Sequence, residues 1–144
     1  MIIRPATERD LPAILAIENV SFDSPWTDDH FRYELFQNPF AFVFVAEDDE
    51  HLLGYIDWWV TFEVGQVNNL AVHPKLRGKG IGKTMMQDVL KRFKDAQCER
   101  VTLEVRIHNE AAIALYERLG FQKRHLKKNY YENGDDAWAM ELVL

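Results

Sequence analysis

Cysteine is nearly absent from this chain, since Cys98 is the only one among 144 residues. A single cysteine cannot form a disulfide within the chain, so a reducing cytoplasm is the simplest expected location. Long apolar runs are missing as well, and we expect neither a membrane span nor a secretory signal peptide. Basic residues are outnumbered, with 17 Lys and Arg against 23 Asp and Glu. The net charge of −6 argues against broad nucleic-acid binding and mildly favours a basic partner.

The chain does contain enough apolar sequence for one folded domain. Hydrophobic residues make up 47% of it, a fraction typical of globular rather than disordered proteins. We find no repeat, low-complexity segment or linker, and we expect a single domain spanning residues 1–144. No spacing of Cys, His and acidic residues predicts a metal site, so His73 and His108 are interpreted as loop residues. Cys98 has no neighbouring base in the sequence, and a catalytic thiol is not expected.

Apolar periodicity and turn residues predict a mixed α/β fold. Thr7 and Thr27 are suited to begin two helices, the first with Asp10 in a weak capping box. A long amphipathic helix is expected from about residue 82, and Asn109 caps a further helix that Gly120 ends. The predicted strands cover residues 1–4, 41–46, 52–61, 66–72, 100–106, 121–129 and 137–144. The expected order is βααβββαβαββ around a central mixed sheet.

A glycine-rich segment, Arg77-Gly78-Lys79-Gly80-Ile81-Gly82, separates the strand at 66–72 from the long helix. Glycines let a ligand approach the backbone closely, and unpaired N–H groups at the start of a helix favour an anion such as a pyrophosphate. Arg77, Lys79 and Lys83 add positive charge. The spacing fits neither a Walker loop nor a dinucleotide fingerprint. Taken alone, the segment is interpreted equally well as a glycine-rich turn before a surface helix.

Three motifs spread along nearly the whole chain are similar to those of a known family. The segment Val67-Asn68-Asn69-Leu70-Ala71-Val72-His73-Pro74, followed by Arg77-x-x-Gly80-x-Gly82, resembles the acetyl-CoA signature of the GNAT superfamily of N-acetyltransferases. Leu103-Glu104-Val105-Arg106, Asn109 and residues 114–121 resemble its second signature. Asn129-Tyr130-Tyr131, with Asp136-Ala137 and Met140, is similar to the bacterial RimI branch. That branch acetylates the N-terminal alanine of a small-subunit ribosomal protein, although related N-terminal acetyltransferases share most of these residues.

The resemblance implies where the cosubstrate acetyl-CoA would bind. The fourth strand is expected to splay from the fifth and to leave a gap for it. The pantetheine arm would pair with the backbone around Leu70, Ala71 and Val72, as an added strand would. The pyrophosphate would rest on backbone N–H groups in the glycine-rich segment, from Arg77 through Gly78, Lys79, Gly80, Ile81 and Gly82 to Lys83. Asn109, the expected helix cap, would also contact the pantetheine.

The resemblance also implies two catalytic residues. Glu104 alternates with Leu103 and Val105 along the fifth strand, so its side chain is expected on the opposite face from theirs. By the residues alone it could be a solvent-facing carboxylate; the family implies a general base that deprotonates the amine, directly or through water. Tyr116 could be helix packing, whereas the family implies a general acid that protonates the departing thiolate.

The acceptor is expected to lie in a groove flanked by polar and aromatic side chains. The candidate substrate-binding residues are Phe22, Trp26, Gln66, Asn68, Tyr130 and Tyr131. Aromatic loop residues of this kind equally often pack the edges of a fold. The leading hypothesis is an acetyltransferase for a protein N-terminus, acting on a ribosomal protein as a monomer or weak dimer, without direct contact to nucleic acid or membrane. A broad N-terminal or small-amine acetyltransferase and a non-catalytic acyl-CoA-binding module are the alternatives.

Overall fold

The computed structural model describes residues 1–144 and follows the predicted order of elements. Two short 3-10 turns, Glu8–Asp10 and Pro74–Leu76, accompany the strands and helices. The strands are β1 (Ile2–Pro5), β2 (Ala41–Glu47), β3 (Leu52–Thr61), β4 (Val64–Val72), β5 (Arg100–Arg106), β6 (Gln122–Lys127) and β7 (Ala137–Val143). The helices are α1 (Leu11–Ser21), α2 (Asp28–Phe36), α3 (Ile81–Asp95) and α4 (Glu110–Arg118).

Two strand boundaries differ from the prediction because of residues with a left-handed backbone. β4 begins at Val64 rather than at residue 66, since the turn from β3 has only two residues and Phe62 takes a φ of 56° there. Hairpin turns of this length usually contain Asn-Gly. This turn does not, so the sequence did not predict it. β6 ends at Lys127, because Asn129 adopts a φ of 51° that is incompatible with an extended strand.

Two of the predicted helix caps, Thr27 and Asn109, are present, whereas Thr7 precedes the 3-10 turn Glu8–Asp10 and α1 begins only at Leu11. The side chain of Thr27 accepts a hydrogen bond from the backbone N–H of His30 at 3.1 Å, and that of Asn109 accepts one from Ala112 at 3.2 Å. Each satisfies a donor that the first turn of its helix leaves unpaired. None of the helices combines the length and the apolar character that crossing a bilayer requires.

The strands form one sheet in the order β1-β2-β3-β4-β5-β7-β6, and all neighbours are antiparallel except β4 and β5. That parallel pairing is short. It joins Val64–Val67 to Arg100–Leu103 and then stops, although β4 continues to Val72 and β5 to Arg106. The two strands therefore separate after Val67 and Leu103, as the family resemblance implied. The separation leaves a gap in the middle of the sheet.

A β-bulge in β4 lies where the gap opens. Asp57 of β3 is opposite Asn69, and Trp58 is opposite Val67, so that Asn68 has no partner. The extra residue reverses the side-chain alternation. Val67 before it packs on the face of the sheet that α3 covers, whereas Ala71 after it packs on the face covered by α1 and α2.

Two apolar clusters hold the helices on the two faces of the sheet. The larger lies under α3 and α4 and includes Met85, Val89 and Phe93 with Leu103 and Val105 of β5. The smaller joins α1 and α2 to β2 and β3. On that second face, the helices make their contacts with the half of the sheet that contains β2, β3 and β4. Neither α1 nor α2 makes comparable contacts with β5, β7 or β6.

Candidate active site

A cleft fills the gap between β4 and β5. It consists of two adjoining cavities of about 350 and about 470 Å³. The first contains the predicted catalytic residues, and the second contains most of the glycine-rich segment. The residues that line both are Ser21, Phe22, Leu70, Asn109, Ala112 and Leu115. The cleft therefore runs continuously from the catalytic candidates to the start of α3.

Glu104 and Tyr116 reach the first cavity from opposite faces of the sheet. Leu103 and Val105 belong to the core under α3 and α4, so Glu104, which lies between them, projects to the other face. Tyr116 of α4 is part of that core and contacts Phe121, with ring centroids 5.8 Å apart. Both side chains nevertheless line the same cavity. Because the strands separate there, groups from the two faces can act on one bound molecule.

The Glu104 carboxylate is paired with a lysine. Oε1 of Glu104 accepts a hydrogen bond from Nζ of Lys127 at 2.8 Å, and the two side chains are 21% and 34% exposed. This hydrogen bond raises the pKa of Lys127, which keeps its ammonium charged. The same ammonium lies 5.1 Å from the centroid of the Tyr130 ring. The sequence motifs contained no indication of this pair.

Tyr116 is buried, and burial raises its pKa above the ordinary value for a phenol. Its hydroxyl therefore holds its proton throughout the neutral range. A protonated hydroxyl at the wall of the first cavity can donate a hydrogen bond or a proton to a group bound there.

The glycine-rich segment approaches α3 with its backbone facing the second cavity. Gly78 and Gly80 have φ values of 78° and 83°, which side-chain-bearing residues seldom adopt. Gly80 is the residue immediately before α3, whose first N–H groups have no partner within the helix. Open space surrounds the Cβ position of Gly80, so its backbone conformation and not crowding requires a glycine. The anion site that the motif predicts is geometrically available.

Arg77 is held in place by two hydrogen bonds. Its Nε donates to the backbone oxygen of Val72 at 3.1 Å, and its NH2 group donates to Oγ of Ser21 at 2.8 Å. The guanidinium thus bridges β4 and the end of α1 at the wall of the second cavity. The charge of Arg77 is available to an anion. The backbone oxygen of Val72, however, already accepts a hydrogen bond from Arg77.

Most of the other predicted site residues line the cleft. Asn68, Trp26 and Tyr131 line the first cavity, and Phe22, Leu70 and Asn109 line both. Ala71, Val72, Arg77, Gly78, Gly80, Ile81, Gly82 and Lys83 line the second. Three predicted residues, Gln66, Lys79 and Tyr130, line neither cavity.

The position of Gln66 has a clear structural reason. It lies where β4 is still paired with β5, opposite Thr102, before the gap begins. Its side-chain amide donates to Oδ1 of Asn68 at 2.8 Å. Gln66 therefore supports the bulge residue and does not face the cleft.

Arg106 and Tyr131 lie together at the wall of the first cavity. The guanidinium of Arg106 lies 3.8 Å from the centroid of the Tyr131 ring and is paired with Asp135 at 3.0 Å. Burial raises the pKa of Tyr131 to about 12. The segment between β6 and β7 is thus fixed to β5 by a stacked cation and an ion pair.

Glu18 is a functional candidate that the sequence interpretation missed. Its side chain is buried with 1% exposure, and it accepts hydrogen bonds from the backbone of Trp26 at 2.8 Å, the amide of Asn69 at 2.7 Å and the hydroxyl of Tyr55. One carboxylate thus connects α1, the loop carrying Trp26, β3 and the bulged part of β4. The available signal was the position of Glu18 on the apolar stripe of α1, four residues after Ile14.

A second buried carboxyl group supports the bulge from β3. Oδ1 of Asp57 accepts a hydrogen bond from the Asn68 amide at 3.2 Å, and Asp57 lies against the buried carboxyl group of Glu34. Glu34 in turn accepts hydrogen bonds from Trp59 and Asn38 at 2.8 and 2.6 Å. Burial, reinforced by the charge of Glu34, raises the pKa of Asp57. The bulge therefore rests on a polar network that reaches α2.

Comparison with known proteins gives a consistent result. The acetyltransferase (GNAT) family model matches residues 11–121. The chain is 39% identical over 143 residues to a Bacillus subtilis protein provisionally named ribosomal protein bS18-alanine N-acetyltransferase, covering 99% of this chain and 95% of that one. It is 34% identical over 151 residues to an N-alpha-acetyltransferase of Saccharolobus solfataricus, covering 96% and 90%.

Solved structures agree with the sequence matches. The crystal structure of the ribosomal-protein-S18-alanine N-acetyltransferase from Escherichia coli superposes with a TM-score of 0.89 at 29% identity, covering 99% of this chain and 92% of that one. A chain of the NatC complex bound to Gag peptide and CoA superposes with a TM-score of 0.84 at 25% identity, covering 99% and 98%. The similarity extends across both halves of the splayed sheet.

Proposed function

The chain belongs to the GNAT family of N-acetyltransferases, and we propose that it transfers the acetyl group of acetyl-CoA to the N-terminal alanine of a small-subunit ribosomal protein. The observation that carries this proposal is the continuous cleft. It places Glu104 and Tyr116 in one cavity and connects that cavity to the glycine-rich segment. A candidate acid and a candidate base in one cavity, next to a candidate anion site in the adjoining one, match the parts of an acetyl transfer.

The residues of the second cavity fit the cosubstrate. The backbone N–H groups that follow Gly80 at the start of α3 would hold the pyrophosphate, with Lys83 adding charge. Beyond Val67 the edge of β4 that faces away from β3 has no strand partner, so its backbone around Leu70 can accept an extended arm as a further strand would, whereas the oxygen of Val72 already accepts a hydrogen bond from Arg77. Acetyl-CoA supplies the activated thioester to the first cavity.

The chemistry assigns one role to each catalytic candidate. Glu104 takes a proton from the acceptor ammonium, directly or through water, so that the nitrogen lone pair can attack the thioester carbon. A bond forms between that carbon and the amine nitrogen, and the bond between carbon and sulfur breaks. Tyr116 gives its proton to the departing sulfur. The new amide nitrogen then loses its second proton, which reprotonates Tyr116 directly or through solvent, and Glu104 releases its own proton to solvent. An α-amine with a pKa near ~8 requires only a modest base, whereas a lysine amine near ~10.4 requires a stronger one.

The first cavity favours a peptide acceptor whose first residue is small. The first cavity has a volume of about 350 Å³, and the rings of Phe22, Trp26 and Tyr131 are part of its wall. A large first side chain would clash with these rings, because they are held by packing and by stacking on His30 and Arg106. The names of the B. subtilis and E. coli proteins specify an alanine acceptor, in agreement with this size restriction.

Mass spectrometry of a mixed peptide pool with acetyl-CoA tests the proposal. A ribosomal-protein-like peptide with a free N-terminal alanine is expected to be acetylated. The same peptide with a blocked N-terminus and an internal lysine is expected to react at least ~100-fold more slowly, which corresponds to ~2.7 kcal/mol of transition-state binding. A third peptide that begins with leucine tests the size restriction. Comparable rates on the lysine peptide or on polyamines would contradict the N-terminal assignment.

A broad N-terminal acetyltransferase is the second candidate. The specific observation in its favour is the 34% identity to a protein named only as an N-alpha-acetyltransferase. The two candidates differ in the peptide pool. A ribosomal-protein acetyltransferase discriminates among peptides that all begin with alanine, whereas a broad enzyme acetylates them at similar rates.

A further inference from the structure

We propose that the Lys127 ammonium occupies, in the free enzyme, the place that the acceptor α-ammonium takes on Glu104, and that the acceptor displaces it. This inference rests on the proposed function, because it assumes that an amine is delivered to Glu104. It assigns to Lys127 a role in acceptor binding that is separate from the chemical step.

The first argument is chemical equivalence. Nζ of Lys127 is a primary ammonium that donates to Oε1 of Glu104 at 2.8 Å. An incoming N-terminus carries the same charge and the same donors, and it needs the same carboxylate to lose its proton. A carboxylate can bind two ammonium groups only at the cost of their mutual repulsion. Lys127 and the acceptor therefore compete.

The second argument is that no other cationic side chain forms a hydrogen bond with Glu104. Lys127 is its only side-chain hydrogen-bond partner. Arg106, two residues along β5 on the same face, is engaged by Asp135 at 3.0 Å and by the Tyr131 ring. The charge on Glu104 is thus balanced by one flexible side chain, which comes from β6.

The third argument is that Lys127 has a second position available. Its ammonium already lies 5.1 Å from the centroid of the Tyr130 ring, and a ring face attracts a cation. A small rotation of the four-carbon side chain would move the ammonium from the carboxylate toward the ring. Tyr130, which lines neither cavity, then contributes by holding the displaced lysine.

The direct test observes Lys127 by NMR of its 13Cε–15Nζ group, without acetyl-CoA and without turnover. Glu104→Gln provides the reference spectrum for a lysine released from the carboxylate. Titration with the free N-terminal alanine peptide is expected to shift the Lys127 signal toward that reference, whereas an N-blocked peptide leaves it in place. Binding of the free peptide, measured by calorimetry, without movement of the Lys127 signal would overturn the inference.

Steady-state kinetics supply the second readout. Lys127→Met is expected to lower the acceptor KM about three- to tenfold with kcat changed by less than about threefold, because a competing group is removed without touching the reacting atoms. Lys127→Arg keeps a competing cation that can bind the carboxylate through two N–H groups, so it should not lower the acceptor KM. Lys128→Met is the matched control, since Lys128 is exposed and forms no ion pair, and it should leave KM unchanged.

The outcomes separate the two proposals. A higher acceptor KM in Lys127→Met, or an equal fall of KM in Lys128→Met, would overturn the displacement model while leaving N-terminal acetylation intact. If the wild-type enzyme neither binds nor acetylates the free peptide, the proposed function fails and the displacement model fails with it.

Discussion

Glu104 and Tyr116 project from opposite faces of one sheet and still line one cavity. The reason is the short pairing of β4 with β5, which ends at Val67 and Leu103. If the two strands were paired along their full length, the sheet would separate the carboxylate from the phenol. The splay thus brings both groups to one cavity, as the proposed roles of Glu104 as base and Tyr116 as acid require.

Tyr116→Phe tests the acid. The ring and its contact with Phe121 remain, but the proton for the thiolate is lost. We expect kcat to fall at least ~100-fold with little change in the Kd of acetyl-CoA, because the hydroxyl contributes mainly in the transition state. Tyr33→Phe, on an exposed residue of α2, is the control. A change in kcat below about threefold, less than ~1 kcal/mol of barrier, would leave Tyr116 with a packing role only.

Glu104→Gln tests the base. Raising the pH should partly rescue this variant, because a growing fraction of acceptor amine is neutral without enzymatic help. The rate loss relative to wild type should therefore be largest at low pH, and rates measured from about pH 6 to 9 would show it. Glu117→Gln, on the exposed side of α4, serves as the control. A loss of constant size across this range would point to positioning instead of proton transfer.

Gly80→Asp tests the anion site. A carboxylate would face the pyrophosphate position, and the φ of 83° at this residue disfavours any side chain. Acetyl-CoA should raise the melting temperature of the wild type by mass action, and we expect this rise to disappear in the variant. Gly134→Asp is the matched control, since Gly134 has a similar φ of 88° but lies outside both cavities. If folded Gly80→Asp retains the full rise, the segment does not bind the cosubstrate.

Asp57→Asn tests the buried carboxyl network. Burial, with the charge of Glu34, raises the pKa of Asp57 to about 9, so the folded protein holds a proton that the unfolded chain releases near pH ~4. This contribution to stability is complete below that pH and is lost as the pH rises toward 9. We expect the free energy of unfolding, measured with urea from about pH 5 to 8, to fall more steeply in the wild type than in Asp57→Asn. Asp49→Asn, at an exposed turn, should follow the wild type, and parallel curves for Asp57→Asn and wild type would refute the raised pKa.

Much of the fold could be predicted because the signals are local. The caps at Thr27 and Asn109, the glycine after α4 and the period-two pattern of β5 each depend on residues within a few positions of one another. The face of the sheet on which Glu104 lies follows from the same alternation. The start of β4 could not be predicted, because a left-handed Phe62 replaces the usual turn residues.

The sequence by itself determined the order of elements, the glycine-rich segment and the chemical identity of Glu104 and Tyr116. Only the tertiary structure decided what these groups face. Lys127 reaches Glu104 across 23 positions of the chain, and Asn69 reaches Glu18 across 51. Local sequence patterns predict neither contact, because the pairing of β6 with β7 and the packing of α1 on β4 bring these distant residues together. Acidic side chains are usually exposed to solvent, but this packing buries Glu18 and Asp57, and both then support the β4 bulge.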